Sequence, residues 1–351
     1  MSAPTRDKGN TVVLHVAEST AEMPAAAEPY TPPKTVTAEG VRPYPGAPAA
    51  PREPSLPRRR IANPQSPWST AYRRLKRNKM AVFGLMFLFA MFLFSFVGPL
   101  FSPYTEGRVN VALIHKPPSA SHWLGTDDLG RDVLTRLMQA GRISLLVGIV
   151  SMVLSVLVGA ILGVLAGYYR GLVDHLIMRA ADVLMSIPEI PILIVIGAIL
   201  SDLKISSEYR IYVVMLLIGF LAWPSLARLV RSQILSLRER PFMLAAEALG
   251  LRDRRKLRHL LLNAAPTLIV VATLGVARAI LSESVLSFLG LGVVPPTPSW
   301  GNMLQAANTL IDFQLRPWLW IPPGVAIFLT VIAINLVGDG LRDALDPRTN
   351  R

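Results

Sequence analysis

Residues 143–169 read ISLLVGIVSMVLSVLVGAILGVLAGYY and carry no charged side chain. A helix that crosses the roughly 30 Å hydrocarbon layer of a membrane needs about 20 mostly apolar residues. Because backbone N–H and C=O groups cannot stay unpaired in lipid, this block predicts a transmembrane helix. Comparable apolar blocks occupy 80–101, 183–200, 211–230, 264–291 and 318–338. We therefore predict an all-α membrane protein with six transmembrane helices, the third of which is short and holds Pro188 and Pro191.

The overall composition supports the same class. Of the 351 residues, 52% are hydrophobic and the mean hydropathy is +0.43, which is too apolar for one water-soluble core. The chain has no cysteine, which excludes disulfides and thiolate metal sites. Its five histidines are scattered, without the spacing of a metal site. We expect that the chain itself binds no metal and no cofactor.

The formal net charge is +13, and the basic residues are concentrated in two segments. Those that precede the first apolar block, with no acid among them, are Arg58, Arg59, Arg60, Arg73, Arg74, Lys76, Arg77 and Lys79. Segment 231–263 is also basic, whereas 293–317 holds only Asp312 and Arg316 as charged residues. Because Lys and Arg are enriched in cytoplasmic loops, six spans with this distribution place both termini and 231–263 in the cytoplasm. The charge is thereby explained without nucleic-acid binding.

The composition divides the chain into three parts. Residues 1–65 form a tail rich in Pro and Ala, with too few large apolar residues to offset chain entropy, so we expect it to be disordered and cytoplasmic. No apolar core follows its start, so it lacks the pattern of a signal peptide. Residues 66–142 comprise an interfacial helix or a plain basic anchor at 66–79, the first span and an external amphipathic segment. Residues 143–351 form the core with five further spans.

The external segment, 121–142, has the pattern of an amphipathic helix that lies along the outer membrane surface. Apolar residues follow helical spacing, and charged residues fill the opposite face. Thr126 or Asp127 would cap the start of this helix. Asp127, Asp128 and Asp132 have the character of metal ligands, but helix capping and local ion pairs explain them better.

Small residues recur every four positions within 143–169. They are Ser151, Ser155, Gly159, Gly163 and Gly167. In lipid, such a face allows another helix backbone to approach closely. The ridge therefore predicts packing against a neighbouring helix within a bundle.

Two charged residues, Arg278 and Glu283, lie inside the fifth apolar block. Intramembrane charges are costly and usually face a pathway or a partner group. A spacing of five residues separates the two side chains by about 140° around a helix, so they do not neutralise each other well. Two interpretations stay open: a pathway-lining site that touches substrate, or structural contacts with a neighbouring helix.

Catalytic motifs are missing from the sequence. It contains no G-x-x-x-x-G-K-[ST] phosphate loop, no H-E-x-x-H and no G-x-S-x-G. The Gly338-Asp339 pair lacks the second opposed acid that an intramembrane aspartyl protease requires. We therefore expect that the chain is not an enzyme and has no catalytic residues.

Residues 241–266, PFMLAAEALGLRDRRKLRHLLLNAAP, interrupt the apolar blocks with a basic segment. Helix formers follow Pro241, and Gly250 is placed to end that helix. A second short helix is predicted over 252–262, ended or kinked by Pro266. The segment is longer than a plain connector needs to be. Two helices joined at a glycine form a cytoplasmic protrusion that converts the push of a soluble partner into movement of the spans.

The pattern AA-x-x-x-G in this segment resembles the EAA loop of ABC importer permeases. Four other segments more specifically resemble the C-type permease of dipeptide and oligopeptide importers: HWLGTDDLGRDVLTRL (122–137), GYYRGLVDHLIMRAADVLMSIP (167–188), ATLGVARAILSESVLSFLGLGVVPPTPSWGNML (272–304) and GDGLRDALDPR (338–348). The resemblance extends from about residue 66 to the C-terminus and leaves the tail 1–57 uncovered.

This resemblance implies a type I ABC importer transmembrane domain with a cytoplasmic EAA coupling helix, in a bacterial cytoplasmic membrane. It implies a homologous second permease that shares one pathway with this chain, and a substrate-binding protein outside the cytoplasm that delivers peptide. It also implies two ATPase subunits, which use ATP and Mg. Ala245, Ala246 and Gly250 match the helix that docks into a cleft of an ATPase subunit. Neighbouring candidates for the same contact are Glu247, Leu249, Arg252 and Arg254.

Three positions depart from the family pattern. Leu244 replaces the usual Glu before the paired alanines, with an acid at Glu247 instead, and Leu262 replaces a usual proline. These two departures keep the coupling geometry and put its charge contacts in question. Arg278 stands where a small residue is expected, which predicts an effect on substrate choice.

Two alternatives stay open from the sequence. A family member that imports nickel, glutathione or another small solute would share these features, although the spans offer only Glu283 as a ligand for nickel. A self-sufficient channel or ion-coupled carrier should show broken helices and several intramembrane acids. That second class leaves the protrusion at 241–262 without a function.

Overall fold

The computed structural model describes residues 67–105, 107 and 109–346. Its helices, in chain order, are α1 (Pro67–Arg77), α2 (Lys79–Phe96), α3 (Val133–Tyr169), α4 (Gly171–Met185), α5 (Glu189–Asp202), α6 (Ser207–Arg238), α7 (Pro241–Ala248), α8 (Asp253–Phe288), α9 (Trp300–Met303), α10 (Leu310–Leu315) and α11 (Ile321–Leu345). Short 3-10 turns lie at Gly98–Phe101, Val111–Leu113, Leu304–Asn308 and Pro317–Leu319. The tail predicted for 1–65 lies outside the described residues.

Within the described residues, five helices are long and apolar enough to cross a membrane: α2, α3, α6, α8 and α11. Helices α4 and α5 together supply a sixth candidate span, bent by 77° at the break between them. All long elements in this part of the chain are helical. The structure therefore confirms the predicted all-α, multi-pass membrane fold.

The third predicted span is the broken one, and prolines explain where it breaks. Pro188 precedes α5, and a residue before proline, here Ile187, is disfavoured in the helical conformation. Pro191 lies in the first turn of α5, where a missing N–H costs no hydrogen bond. Pro224 and Pro266, by contrast, lie inside α6 and α8 without ending them.

The prediction of one amphipathic helix over 121–142 is wrong. Helix α3 begins only at Val133, after a loop that holds an isolated bridge between Thr126 and Asp132. Gly130 adopts φ +71° and lies directly against the carbonyl group of Asn110, an approach that any side chain would prevent. The helical spacing of the apolar residues is real, but the glycine turn separates the first of them from the helix.

Asp132 is the residue that caps α3, rather than Thr126 or Asp127. Its side chain accepts a hydrogen bond from the backbone N–H of Thr135 at 2.8 Å. From there α3 continues without a break to Tyr169, so one helix crosses the boundary predicted between 142 and 143.

The two glycines in the second half of the small-residue ridge that precede Gly167 lie against α6. A Cβ atom added at Gly159 would lie 2.7 Å from the Cβ atom of Leu226. One added at Gly163 would lie 2.6 Å from the carbonyl oxygen of Ala227. The two helix backbones thus approach closely where α3 has no side chain.

The remaining small residues continue the same contact. Ser151 and Ser155 are buried, and the Ser151 hydroxyl donates to the carbonyl oxygen of Met215 at 2.9 Å. At the other end, a Cβ atom on Gly167 would lie 2.8 Å from that of Ile234. The ridge therefore contacts α6 through Ser151, Gly159, Gly163 and Gly167.

Trp300 fixes the segment between α8 and α11 to the bundle. Its side chain is fully buried, and its Nε1–H donates to the carbonyl oxygen of Leu137 at 3.2 Å. Its backbone N–H donates to the Ser144 hydroxyl at 3.2 Å. Both acceptors belong to α3, so this segment is attached to the same helix that packs on α6.

We predict that Gly163→Val destabilises the bundle, because the new side chain would overlap the α6 backbone. Overpacking of this kind costs about 1–3 kcal/mol. Thermal unfolding in detergent should show a melting temperature several degrees lower for this variant. Val153→Ala, at an exposed position of the same helix, is the control and should unfold like the wild type. Equal melting temperatures for all three proteins would contradict the close contact.

Candidate coupling site and membrane cavity

The basic segment at 241–266 forms a protrusion with one short helix, not two. Helix α7 begins at Pro241, and Gly250 follows its end with φ +65°, a conformation that favours glycine. The backbone N–H of Leu251 donates to the Ala246 carbonyl at 3.0 Å, which closes the turn. The predicted separate helix over 252–262 is wrong, because α8 continues through Pro266 into the fifth span. The basic residues after the turn therefore belong to the end of a spanning helix.

One face of α7 is embedded in the bundle. Met243 is fully buried and packs in a cluster that includes Tyr168, Ile234 and Leu260 from three other helices. Ala246 is also buried, at 8% exposure. Of the two alanines that match the family's docking helix, Ala246 thus faces this chain itself.

The opposite face of α7 is exposed. Ala245 and Glu247 lie on it, together with Leu244 at 58% and Leu249 at 78% exposure. Leu244, Ala245 and Leu249 thus give this side of the protrusion an exposed apolar surface. Such patches usually mark interaction sites.

Exposed arginines flank α7 along the chain. Arg240 precedes α7, while Arg252 and three further arginines follow the turn; these are Arg254, Arg255 and Arg258. Glu247 is the only acidic residue on α7 itself. The protrusion therefore combines an apolar face with a positive rim, which favours an acidic partner surface.

A polar network ties the root of the protrusion to three spanning helices. The Tyr168 hydroxyl on α3 donates to the Asp253 carboxylate on α8 at 2.6 Å. The Arg238 guanidinium on α6 donates to the Tyr168 carbonyl oxygen at 2.6 Å and lies over the Tyr168 ring, 5.5 Å from its centroid. Lys256 completes the group through an ion pair with Asp253 at 3.2 Å.

No local sequence pattern predicts this network. Tyr168 and Asp253 are 85 positions apart, and Tyr168 and Arg238 are 70 apart. Neither spacing carries a periodicity that could be recognised in one sequence. Only the packing of α3, α6 and α8 brings these residues together.

The structure separates the two intramembrane charges. Glu283 is fully buried and accepts hydrogen bonds from the hydroxyls of Ser144, at 3.1 Å, and Ser287, at 2.6 Å. Glu283 therefore makes structural contacts within the bundle, and it is not among the residues that line the cavity beside Arg278. Arg278 is exposed and borders a cavity of about 240 Å³.

That cavity lies between α3, α5, α6 and α8. Its polar lining residues are Ser151, Glu189, Ser225 and Arg278, and the remainder of the wall is apolar. Glu189 is the first residue of α5 at the helix break, and its carboxylate accepts a hydrogen bond from Ser282 at 3.0 Å. The sequence alone does not predict a role for Glu189, because the position of this residue in the bundle depends on the break between α4 and α5.

The three acids of the 121–132 loop act as helix cap and ion-pair partners, in line with the sequence interpretation. Asp127 pairs with Arg131 at 2.8 Å and with Arg136 at 3.3 Å, and Asp128 pairs with Arg131 at 3.4 Å. Asp132, the cap of α3, also contacts His122 at 2.9 Å. These residues are therefore held by one another.

A second polar cavity, of about 270 Å³, adjoins this loop and includes Asp312 in its wall. Burial raises the pKa of Asp312, but a hydrogen bond from Thr309 and the ion pair with Arg316 outweigh it and lower the pKa from its ordinary value. Asp312 therefore carries its negative charge at neutral pH.

Comparison with known proteins identifies two family models that match this chain. The family model of the binding-protein-dependent transport system inner membrane component matches residues 159–351, more than half of the chain. The chain belongs to this family. The model of the N-terminal TM domain of oligopeptide transport permease C matches residues 66–118. The chain is thus a multi-pass permease of the ABC transporter class, as its motifs predict.

The alignments of this chain with individual relatives extend over nearly the full length of each relative. The permease is 40% identical over 284 residues to the dipeptide transport system permease protein DppC of Alkalihalophilus pseudofirmus. This alignment covers 81% of this chain and 90% of that protein. It is 38% identical over 285 residues to the oligopeptide transport system permease protein OppC of Bacillus subtilis, with 81% and 90% covered. The glutathione transport system permease protein GsiD of Pectobacterium atrosepticum is 38% identical over 296 residues, with 84% and 95% covered.

We predict that Tyr168→Phe loosens the root of the permease's protrusion. The variant keeps the ring beneath Arg238 and removes only the hydrogen bond to Asp253. A hydrogen bond to a charged group contributes about 1.5–3 kcal/mol, less where solvent competes as it does here. Hydrogen exchange measured by mass spectrometry should be faster over 241–252. Tyr169→Phe, whose side chain is 52% exposed, is the control, and equal exchange in both variants would exclude the anchoring role.

Proposed function

We propose that this permease forms half of the translocation pathway of an ATP-driven peptide importer and couples that pathway to partner ATPases through α7. The observation that carries the proposal is the protrusion itself: an exposed helix fixed by buried Met243 and the Tyr168–Asp253 hydrogen bond to three spanning helices. A force applied to the exposed face is transmitted to α3, α6 and α8 together. The same helices border the membrane cavity.

The proposed contact with an ATPase subunit uses the exposed face of α7. Ala245 and Leu249 provide its apolar part, and Gly250 sets the turn that follows. Glu247, Arg252 and Arg254 supply charges at the rim. Ala246 supports the helix from inside, because its side chain is buried.

The proposed assembly has the partners that an importer of this family requires. A homologous second permease completes the pathway, and two ATPase subunits bind and hydrolyse ATP with Mg. A binding protein on the outer side delivers the substrate. This chain has no nucleotide-binding motif, so the proposal assigns no catalytic role to it.

The proposed location is a bacterial cytoplasmic membrane, with both termini in the cytoplasm. Basic residues support this orientation at the end of α1 and around α7. The three-part division at 1–65, 66–142 and 143–351 is retained as a proposal, with the second boundary falling inside α3. Lipid covers the exposed apolar faces of the spans.

Peptides are the proposed substrates because relatives that span most of the chain carry dipeptide and oligopeptide names. The glutathione permease relative, at 38% identity, supports glutathione as a second candidate. Nickel has less support, because Glu283, the buried acid of α8, is engaged by serine hydroxyls. Family membership argues against an ion-coupled carrier, although the broken third span is a feature of that class.

Reconstitution tests the proposed function directly. Proteoliposomes that contain the complete transporter and its binding protein should take up a labelled dipeptide only when ATP is supplied to the ATPase side. Vesicles with this chain alone should take up none. Competition by unlabelled glutathione and by dipeptides of different composition then ranks the candidate substrates. Uptake by the isolated chain, or no dipeptide uptake by the complete transporter, would refute the proposal.

The coupling contact is tested by Ala245→Asp in the complete transporter. A charge forced into an apolar interface without a partner costs at least about 1.4 kcal/mol, which corresponds to a tenfold change. We expect uptake to fall by about tenfold or more while the chain still inserts in the membrane. Ala245→Ser, which keeps the size, should retain most uptake. Normal uptake in the Asp variant at equal expression would show that this face is not the contact.

A further inference from the structure

Arg278 carries a charge in the middle of the bundle without a partner in the described part of the chain. It forms no ion pair or hydrogen bond there, and its side chain is exposed. It lies ten residues before the last residue of α8, which is about 15 Å along a helix that rises 1.5 Å per residue. That distance is about half of the 30 Å hydrocarbon thickness. A lone guanidinium at this depth is unfavourable unless water or an anion contacts it.

The cavity beside Arg278 provides room for such an anion. Its volume of about 240 Å³ is many times the roughly 10–15 Å³ that a cavity needs to hold one water molecule. Ser225 and Arg278 are both exposed, so the cavity opens at the surface of the bundle. A small organic molecule therefore has access to it.

Glu189 places the opposite charge in the same cavity. Its carboxylate is held by Ser282, which lies four residues after Arg278 and so on the same face of α8. Glu189 and Arg278 nevertheless form no ion pair with each other. Two opposite charges that served only to neutralise each other would be in contact. Two opposite charges that line one cavity without contacting each other are complementary to a molecule with an ammonium group and a carboxylate group.

We propose that this cavity is a binding site for the charged termini of the transported peptide. Arg278 binds the carboxylate terminus, since a guanidinium offers two parallel N–H donors to the two carboxylate oxygens. Glu189 binds the ammonium terminus. The site deepens the proposed function and rests on it, because it names the groups by which this permease recognises a peptide.

Binding to the complete transporter without its binding protein tests the site, because this removes the binding protein's own selectivity. Alanyl-alanine, its C-terminal amide and its N-acetyl form are titrated against the transporter in nanodiscs. We expect Arg278→Gln to weaken alanyl-alanine binding by about tenfold or more and to leave binding of the amide unchanged. We expect Glu189→Gln also to weaken alanyl-alanine binding by about tenfold or more, and to leave binding of the N-acetyl form unchanged.

Two further variants separate recognition from general damage. Arg278→Lys keeps the charge and should retain part of the affinity. Arg179→Gln removes an exposed arginine of α4 that does not line the cavity, and it should bind all three ligands like the wild type. Co-purification of the second permease is measured for every variant.

Several results would overturn the site. A wild-type transporter that imports dipeptides, but binds the free and amidated forms equally or binds neither, would refute the site and leave the proposed function standing. Equal loss of all three ligands in Arg278→Gln, or loss of the second permease from the complex, would identify Arg278 as a structural contact with that subunit. A wild-type transporter that imports no peptide would refute the proposed function and the site together.

Discussion

The close contact between α3 and α6 is the interaction on which the other features depend. In lipid there is no gain from burying apolar side chains away from water, so helices associate through tight packing and polar contacts. Gly159 and Gly163 allow the α6 backbone to lie where a Cβ atom would otherwise stand. Ser151 adds a hydrogen bond to the α6 carbonyl of Met215. The other helices are arranged around this pair.

The proposed coupling site and the cavity lie at different positions along the same three packed helices. At one end, Arg238 of α6 and Tyr168 of α3 meet Asp253, and α7 is fixed beside them. Further along the bundle, residues of α3, α6 and α8 border the cavity that holds Arg278. If these packed helices move as rigid bodies, the displacement of α7 that we propose would change the geometry around the cavity without any flexible link between them. This provides a physical basis for the proposed coupling in a chain whose sequence lacks the phosphate-loop motif.

Sequence patterns predicted the positions of the helices better than their ends. The block 143–169 is a spanning helix, but its helix begins ten residues earlier, at Val133, because Asp132 caps it and Gly130 turns the chain just before. Pro188 breaks a helix and Pro266 does not, although both lie in apolar blocks. Proline inside a membrane helix is tolerated where neighbouring groups compensate for the lost hydrogen bond, and those neighbours are not visible in the sequence.

The sequence alone determined that the chain crosses a membrane several times, that Gly250 ends a short helix, and which family its motifs resemble. Each of these follows from local composition or spacing. Only the tertiary structure decided which side chains meet: Ala246 is buried while Ala245 is exposed, Glu283 is satisfied by serines while Arg278 faces a cavity, and Glu189 reaches the same cavity. The physical reason is that the cost of a charge in a membrane depends on its contacts, and contacts between distant segments arise only when helices pack.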